Sequence, residues 1–150
     1  MQKFAAVLSL LCVPYVYAES IEGCYLVADE ITSFSSEESE IQSTYVKISR
    51  STGNYSVEGF IWGANFHVCH IASPIEGVGG PLQMNYVDNK LVYSHSEAEY
   101  SINCELEVSF KDNSLTIKDS NHHCSEYVFY CGARVGLDKV ELPKVAQDCP

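Results

Sequence analysis

The sequence predicts an all-β domain: a small antiparallel sandwich or barrel of about eight short strands, stapled by disulfides. Three observations lead there. Short runs alternate apolar and polar residues, as strands do when one face is buried. Turn signals recur about every 8–12 residues, the spacing of sandwiches and small barrels. Six cysteines follow an N-terminal stretch laid out like an export signal, and an even count in that setting implies a disulfide framework.

That N-terminal stretch comes first. Met1-Gln2-Lys3 supplies one positive charge, Phe4 to Val13 is almost unbroken apolar sequence, and Val16-Tyr17-Ala18 ends in a small residue. This predicts a signal peptide over residues 1–18 and a single domain over residues 19–150. The apolar run is well short of the roughly 20 residues that span a bilayer. Leu11 is bulky where lipoprotein processing needs a small residue, so Cys12 is not read as a lipid anchor. Removing residues 1–18 takes away Lys3 and leaves 8 basic residues against 20 acidic ones, a formal charge of −12. Such a surface argues against nucleic-acid binding and favours solubility and a cationic partner. The expected location is periplasmic or secreted, with no membrane span in the mature chain.

Gly23 to Ala28 is the first strand. Asp29 to Ser43 is serine-rich and acidic with few apolar residues, which predicts a mobile loop or a short surface helix. Thr44–Ser49 and Tyr55–Trp62 form a hairpin about Arg50–Asn54, with Gly59 marking a bulge or a close backbone approach. Phe66 to Ala72 is the next strand. Ser73–Pro81, with three glycines and two prolines, is an irregular loop. Leu82–Val87 and Lys90–Ser94 flank Asp88-Asn89 as a second hairpin, and the polar stretch His95–Ser101 is a loop. The centre of the fold is Cys104–Phe110, the turn Lys111–Ser114, and then Leu115 and Ile117. Glu126 to Tyr130 reads as a strand apolar on both sides, Tyr127 and Phe129 on one face and Val128 and Tyr130 on the other. Such a strand is central in the fold or half of a recognition surface. Residues 132–136 turn the chain, and Leu137–Leu142 is the last strand before Pro143.

The disulfide cysteines are Cys24, Cys69, Cys104, Cys124, Cys131 and Cys149. Chain ends tend to be close in space, which favours Cys24 with Cys149. If residues 126–130 are extended, Cys124 and Cys131 lie roughly 23 Å apart. A disulfide needs Cα atoms within about 7 Å, so bridging those two requires the segment to fold back. The Lys111–Ser114 turn would instead bring Cys104 near Cys124. The connectivity stays open at this level.

Site chemistry is sparse. His67, Cys69 and His70 are ligand types, but His67 and His70 would point to opposite faces of a strand, and export oxidises the thiol. His122-His123 lies in a turn. No metal or other cofactor is expected. The chain has no G-x-S-x-G elbow and no H-E-x-x-H helix. Glu105 and Glu107 share a strand face about 7 Å apart, the layout of a solvated face rather than of carboxylates flanking a bond. No catalytic residues are expected, and the protein is not read as an enzyme.

Four segments carry a resemblance: F-H-V-C-H-I (Phe66–Ile71), C-E-L-E-V-S-F (Cys104–Phe110), L-T-I-K-D (Leu115–Asp119) and Cys124–Asp138, which ends Y-C-G-A-R-V-G-L-D. Together they resemble small secreted bacterial proteins that share an H-x-C strand, a C-x-L strand and a Y-C-G-A-R segment. Segments of this kind also follow regions similar to bacterial lysozyme inhibitors. The chain departs from the group in carrying Lys139 where glycine is usual, and in a long Cys124–Cys131 spacing. Lysozyme inhibitors are small β proteins that insert a loop into the enzyme's cleft. The resemblance therefore implies an exported protein-binding module that inhibits a cationic peptidoglycan hydrolase of the lysozyme type. Its candidate contact loops are Ser49–Asn54, with Arg50, Ser51 and Asn54, and Ser73–Pro81, with Ile75, Glu76 and Val78. A periplasmic immunity protein against a secreted antibacterial toxin and an envelope-associated structural protein are the alternatives.

Overall fold

The computed structural model describes residues 20–36, 38–74 and 80–150; the predicted signal peptide and Ile75, Glu76 and Val78 lie outside them. Among these residues there are nine strands, most of them built by alternation: β1 (Gly23–Thr32), β2 (Ser39–Ser51), β3 (Asn54–Trp62), β4 (Val68–Ile71), β5 (Leu82–Val87), β6 (Lys90–Glu97), β7 (Ile102–Lys111), β8 (Ser114–Lys118) and β9 (Glu141–Val145). In β7, Cys104, Leu106 and Val108 point inward while Asn103 and Glu105 face water. The order is β2-β1-β9-β8-β7-β6-β5-β3-β4, and β2 also pairs with β3. That pairing closes an eight-stranded antiparallel barrel with one extra strand, which removes the open edges of a flat sheet. Val46, Ile48, Val57, Leu82, Met84, Leu91, Leu106, Leu115, Ile117 and Leu142 are buried in its core.

The extra strand has a simple origin. β3 pairs with β5 at residues 55–57 and with β4 at residues 59–62, along one edge. β4 and β5 are therefore two halves of one wall strand, parted in the chain between Ile71 and Leu82. Gly59 lies where β3 passes tightly over β2: a Cβ there would press on the Tyr45 carbonyl and sit 3.1 Å from Val46 Cγ2. This is the close approach its sequence position predicts.

The registers give the barrel two ends. The lower end carries the β2–β3, β5–β6 and β7–β8 turns and the start of β1. Asp88 and Asn89, like Asp112 and Asn113, have positive φ at both turn centres, the conformation of type I′ hairpins that short Asx side chains tolerate. The upper end carries the β1–β2 connection, residues 63–67, the β6–β7 connection, and the long segment 119–140. Leu137, Val128 and Cys124 from that segment are buried with the core.

Five predicted elements are corrected. The acidic stretch 29–43 is no loop or helix: β1 and β2 pair out to Thr32 and Ser39. β1 meets β9 only at residues 24–25 and β2 meets β3 only from residue 45. The ribbon beyond them has no core to cover, so backbone pairing holds it without apolar alternation. Residues 64–66 form a 3-10 turn with Asn65 and Phe66 at positive φ, which shortens the predicted Phe66–Ala72 strand to β4. β6 runs to Glu97, leaving only residues 98–101 as its connection to β7. Residues 124–128 coil into a turn of π-helix where a strand was predicted. The last strand starts at Glu141, not Leu137, and runs through Pro143: it pairs with β8 up to Pro143 and with β1 from Lys144. Among the described residues no helix is long and apolar enough to cross a membrane.

Candidate functional site: an aromatic groove at the upper end

The helical turn at residues 124–128 exists because a buried carboxylate gathers its amides. Asp119, fully buried after β8, accepts from Cys124 N at 3.2 Å, Ser125 N at 2.9 Å and the Ser125 hydroxyl. Its own N–H donates to Asp138 Oδ1 at 3.0 Å. Amides that a helix start would leave unpaired are thereby satisfied. The turn closes through Phe129 N to Cys124 O at 2.9 Å and Cys131 N to Ser125 O at 2.8 Å. Tyr130 sits at the exit with φ 49, the left-handed position that usually belongs to glycine.

Disulfides fasten both ends of this turn. Cys124 bridges Cys104 of β7 and Cys131 bridges Cys69 of β4, while Cys24 bridges Cys149 at the lower end. The coil of residues 124–128 resolves the spacing problem, because each cysteine reaches a different strand. The resemblance segments converge here. Gly132 N donates to Val68 O at 3.1 Å, and a Cβ on Gly132 would lie 2.6 Å from His67 Nδ1. The Arg134 guanidinium lies 5.0 Å over the Phe34 ring, tying segment 119–140 to the β1–β2 ribbon. Lys139 has φ 64. These residues assemble the upper end of the barrel.

What they assemble is a groove of about 570 Å³ between the β6–β7 connection and the helical turn, lined by Glu97, Tyr100, Ser101, Ile102, His123, Tyr127 and Tyr130. Its three tyrosines are 68%, 45% and 80% exposed in chain order, far more than a tyrosine serving the core. Asn103 N donates to His123 Nδ1 at 3.0 Å, and the Asn121 amide donates to Asn103 O at 2.8 Å. The His123 ring meets Tyr127 edge-on at 5.3 Å. The wall is thus held by hydrogen bonds, a ring contact and the Cys104–Cys124 bridge. Among the described residues no lysine or arginine lines the groove. Glu97, its one carboxylate, also contacts His95 Nε2 at 2.7 Å. Glu99 and Glu126 belong to the same two short elements. Elsewhere on the upper end, the ribbon carries Asp29, Glu30, Glu38 and Glu40, and no basic residue falls between Lys3 and Lys47.

Of the predicted contact residues, Arg50, Ser51 and Asn54 do not line this groove, and Ile75, Glu76 and Val78 lie outside the described residues. Arg50 lies at the lower end, its guanidinium 5.4 Å over Tyr55, whose ring meets Tyr86 at 5.6 Å. Ser51 and Asn54 pair across the β2–β3 turn. Of the other loop, the described ends close through Ser73 N to Gly80 O at 2.9 Å. Glu107 is occupied by Lys90 at 2.6 Å and Lys118 at 3.6 Å. Among the described residues no three metal-ligating side chains gather into a group.

Glu97, Tyr100 and His123 were not singled out as binding residues from the sequence, because residues 95–101 read as a plain loop and His122-His123 as a turn; Tyr127 and Tyr130 were read as part of a strand either central in the fold or half of a recognition surface. One signal was available. Two cysteines seven positions apart, neither able to reach the other if extended, suggest a coiled segment that displays its aromatics on one side. No protein-family model, curated protein or solved structure matches the chain, so the groove and its chemistry are what speak for its role.

Proposed function

We propose that this chain is an exported protein-binding module that inhibits a cationic peptidoglycan hydrolase of the lysozyme type. The observation that carries the reading is the upper end of the barrel: an exposed tyrosine groove with no lysine or arginine among the described residues that line it, on the same end as an acidic ribbon. Tyrosines supply rigid contact area at low entropic cost, and they are favoured anchors of protein interfaces. The acidic surroundings select a positively charged partner and speed its approach. Three disulfides fit an oxidising compartment, where a hydrolase of the cell wall would be met.

The test is a cell-wall lysis assay with the purified, oxidised protein against a panel of lysozymes and other peptidoglycan hydrolases, beside gel filtration of each mixture. The expected result is stoichiometric inhibition of a cationic member and a complex that weakens as salt rises. Absence of both inhibition and complex across the panel would overturn the reading.

A further inference from the structure

We propose that the groove between the β6–β7 connection and the helical turn seats an arginine side chain of the partner. The proposal rests on the protein-binding reading and names the contact that reading leaves open.

The groove's chemistry suits a guanidinium. Its lining is rich in acceptors: the Glu97 carboxylate, the Ser101 hydroxyl and the phenol oxygens of Tyr100, Tyr127 and Tyr130. His123 Nδ1 is already taken by Asn103 N. A guanidinium offers five donors and no acceptor, and its plane stacks on tyrosine faces. Among the described residues no lysine or arginine lines it; the imidazoles nearby are His123, whose Nδ1 accepts from Asn103 N, and His95, whose Nε2 lies 2.7 Å from Glu97 Oε1. The fold uses the same pairing internally: Arg50 lies over Tyr55, and Arg134 over Phe34. A volume of about 570 Å³ admits the side chain together with part of the loop that bears it. Tyr130 adds a further argument. It holds a bulky residue at φ 49 with its ring 80% exposed, a backbone cost that no contact in the core repays.

The experiment follows the tyrosine ring signals by NMR while the oxidised protein is titrated with acetyl-Ala-Arg-Ala-amide. A parallel titration uses the citrulline peptide, which keeps the shape and loses the charge. Saturable shifts at Tyr100, Tyr127 and Tyr130 are expected, with the citrulline peptide binding about tenfold more weakly. Glu97→Gln should weaken the arginine peptide about fivefold. Tyr130→Gly is the decisive variant. Glycine suits that backbone position, so the protein should stay folded while binding falls by about tenfold.

The proposal would be overturned by no ring shifts at tens of millimolar peptide, by an equal response to citrulline, or by a stronger response of the same rings to a chitin oligosaccharide. Hydrolase inhibition left unchanged by Tyr130→Gly would also overturn it, without touching the hydrolase reading. Arginine-peptide binding in a protein that inhibits no hydrolase would uphold the groove and remove the hydrolase.

Discussion

Asp119 Oδ1 accepts from Cys124 N and Oδ2 from Ser125 N and the Ser125 hydroxyl, so replacing Asp119 with asparagine keeps the side chain's size but sets an NH₂ group against at least one of these donors. Charge-assisted bonds in a buried site are strong, and leaving their donors unmet is costly. Asp119→Asn should lower the unfolding free energy by about 3 kcal/mol, read by urea denaturation. Lys139 offers the opposite sign. A lysine at φ 64 is strained where glycine is not, so Lys139→Gly should raise stability by up to about 1 kcal/mol in the same measurement. Glu107 sets a pH dependence. The hydrogen bond from Lys90 holds its carboxyl below the usual carboxylate range; partial burial opposes this and the Lys118 charge assists it. Because the folded group is the more acidic, its stabilisation is present above the unfolded pKa and fades as pH falls through the folded one. Glu107→Gln should therefore destabilise near neutral pH, by less than about 1 kcal/mol given how exposed both lysines are, and the two melting curves should converge in acid. The left-handed backbone at Lys139 was not legible in the sequence, since lysine carries no turn signal of its own. Nor was Asp119, because a lone aspartate after a strand looks like any turn residue.

Among the elements, the bridge between Cys69 and Cys131 closes a stretch of 62 residues, and that between Cys104 and Cys124 closes 20. Chain-entropy reasoning makes the first worth about 4 kcal/mol and the second about 3. The double variant Cys69→Ala/Cys131→Ala should thus lose more stability than Cys104→Ala/Cys124→Ala, as read from denaturant midpoints with matched slopes. The shorter bridge fastens the groove wall directly, so its removal should broaden the Tyr127 and Tyr130 signals more. Strands over the core were legible because burial enforces alternation: β3, β5, β7 and β8 follow it closely. The outer ribbon of β1 and β2 was not, since a strand mostly exposed to water is free to take serine and glutamate at most positions. The helical turn was missed for a related reason. Its geometry comes from Asp119 and from two bridges to distant strands, and local apolar spacing records neither.

At the scale of the molecule, alternation could name the class but left sandwich and barrel undecided, because both bury one face of each strand. Closure rests on β2 pairing with β3 while the wall continues round through β9 to β1, a set of long-range pairings that local sequence does not encode. The groove lies at the end away from the Cys24–Cys149 link. That link makes everything from residue 24 to residue 149 a closed covalent ring. One cut by a protease within it, at the exposed Asp88-Asn89 tip for instance, opens the ring and releases nothing. A nicked molecule should run as a single species until a reductant is added and only then separate into fragments, so cleavage alone should not silence this protein.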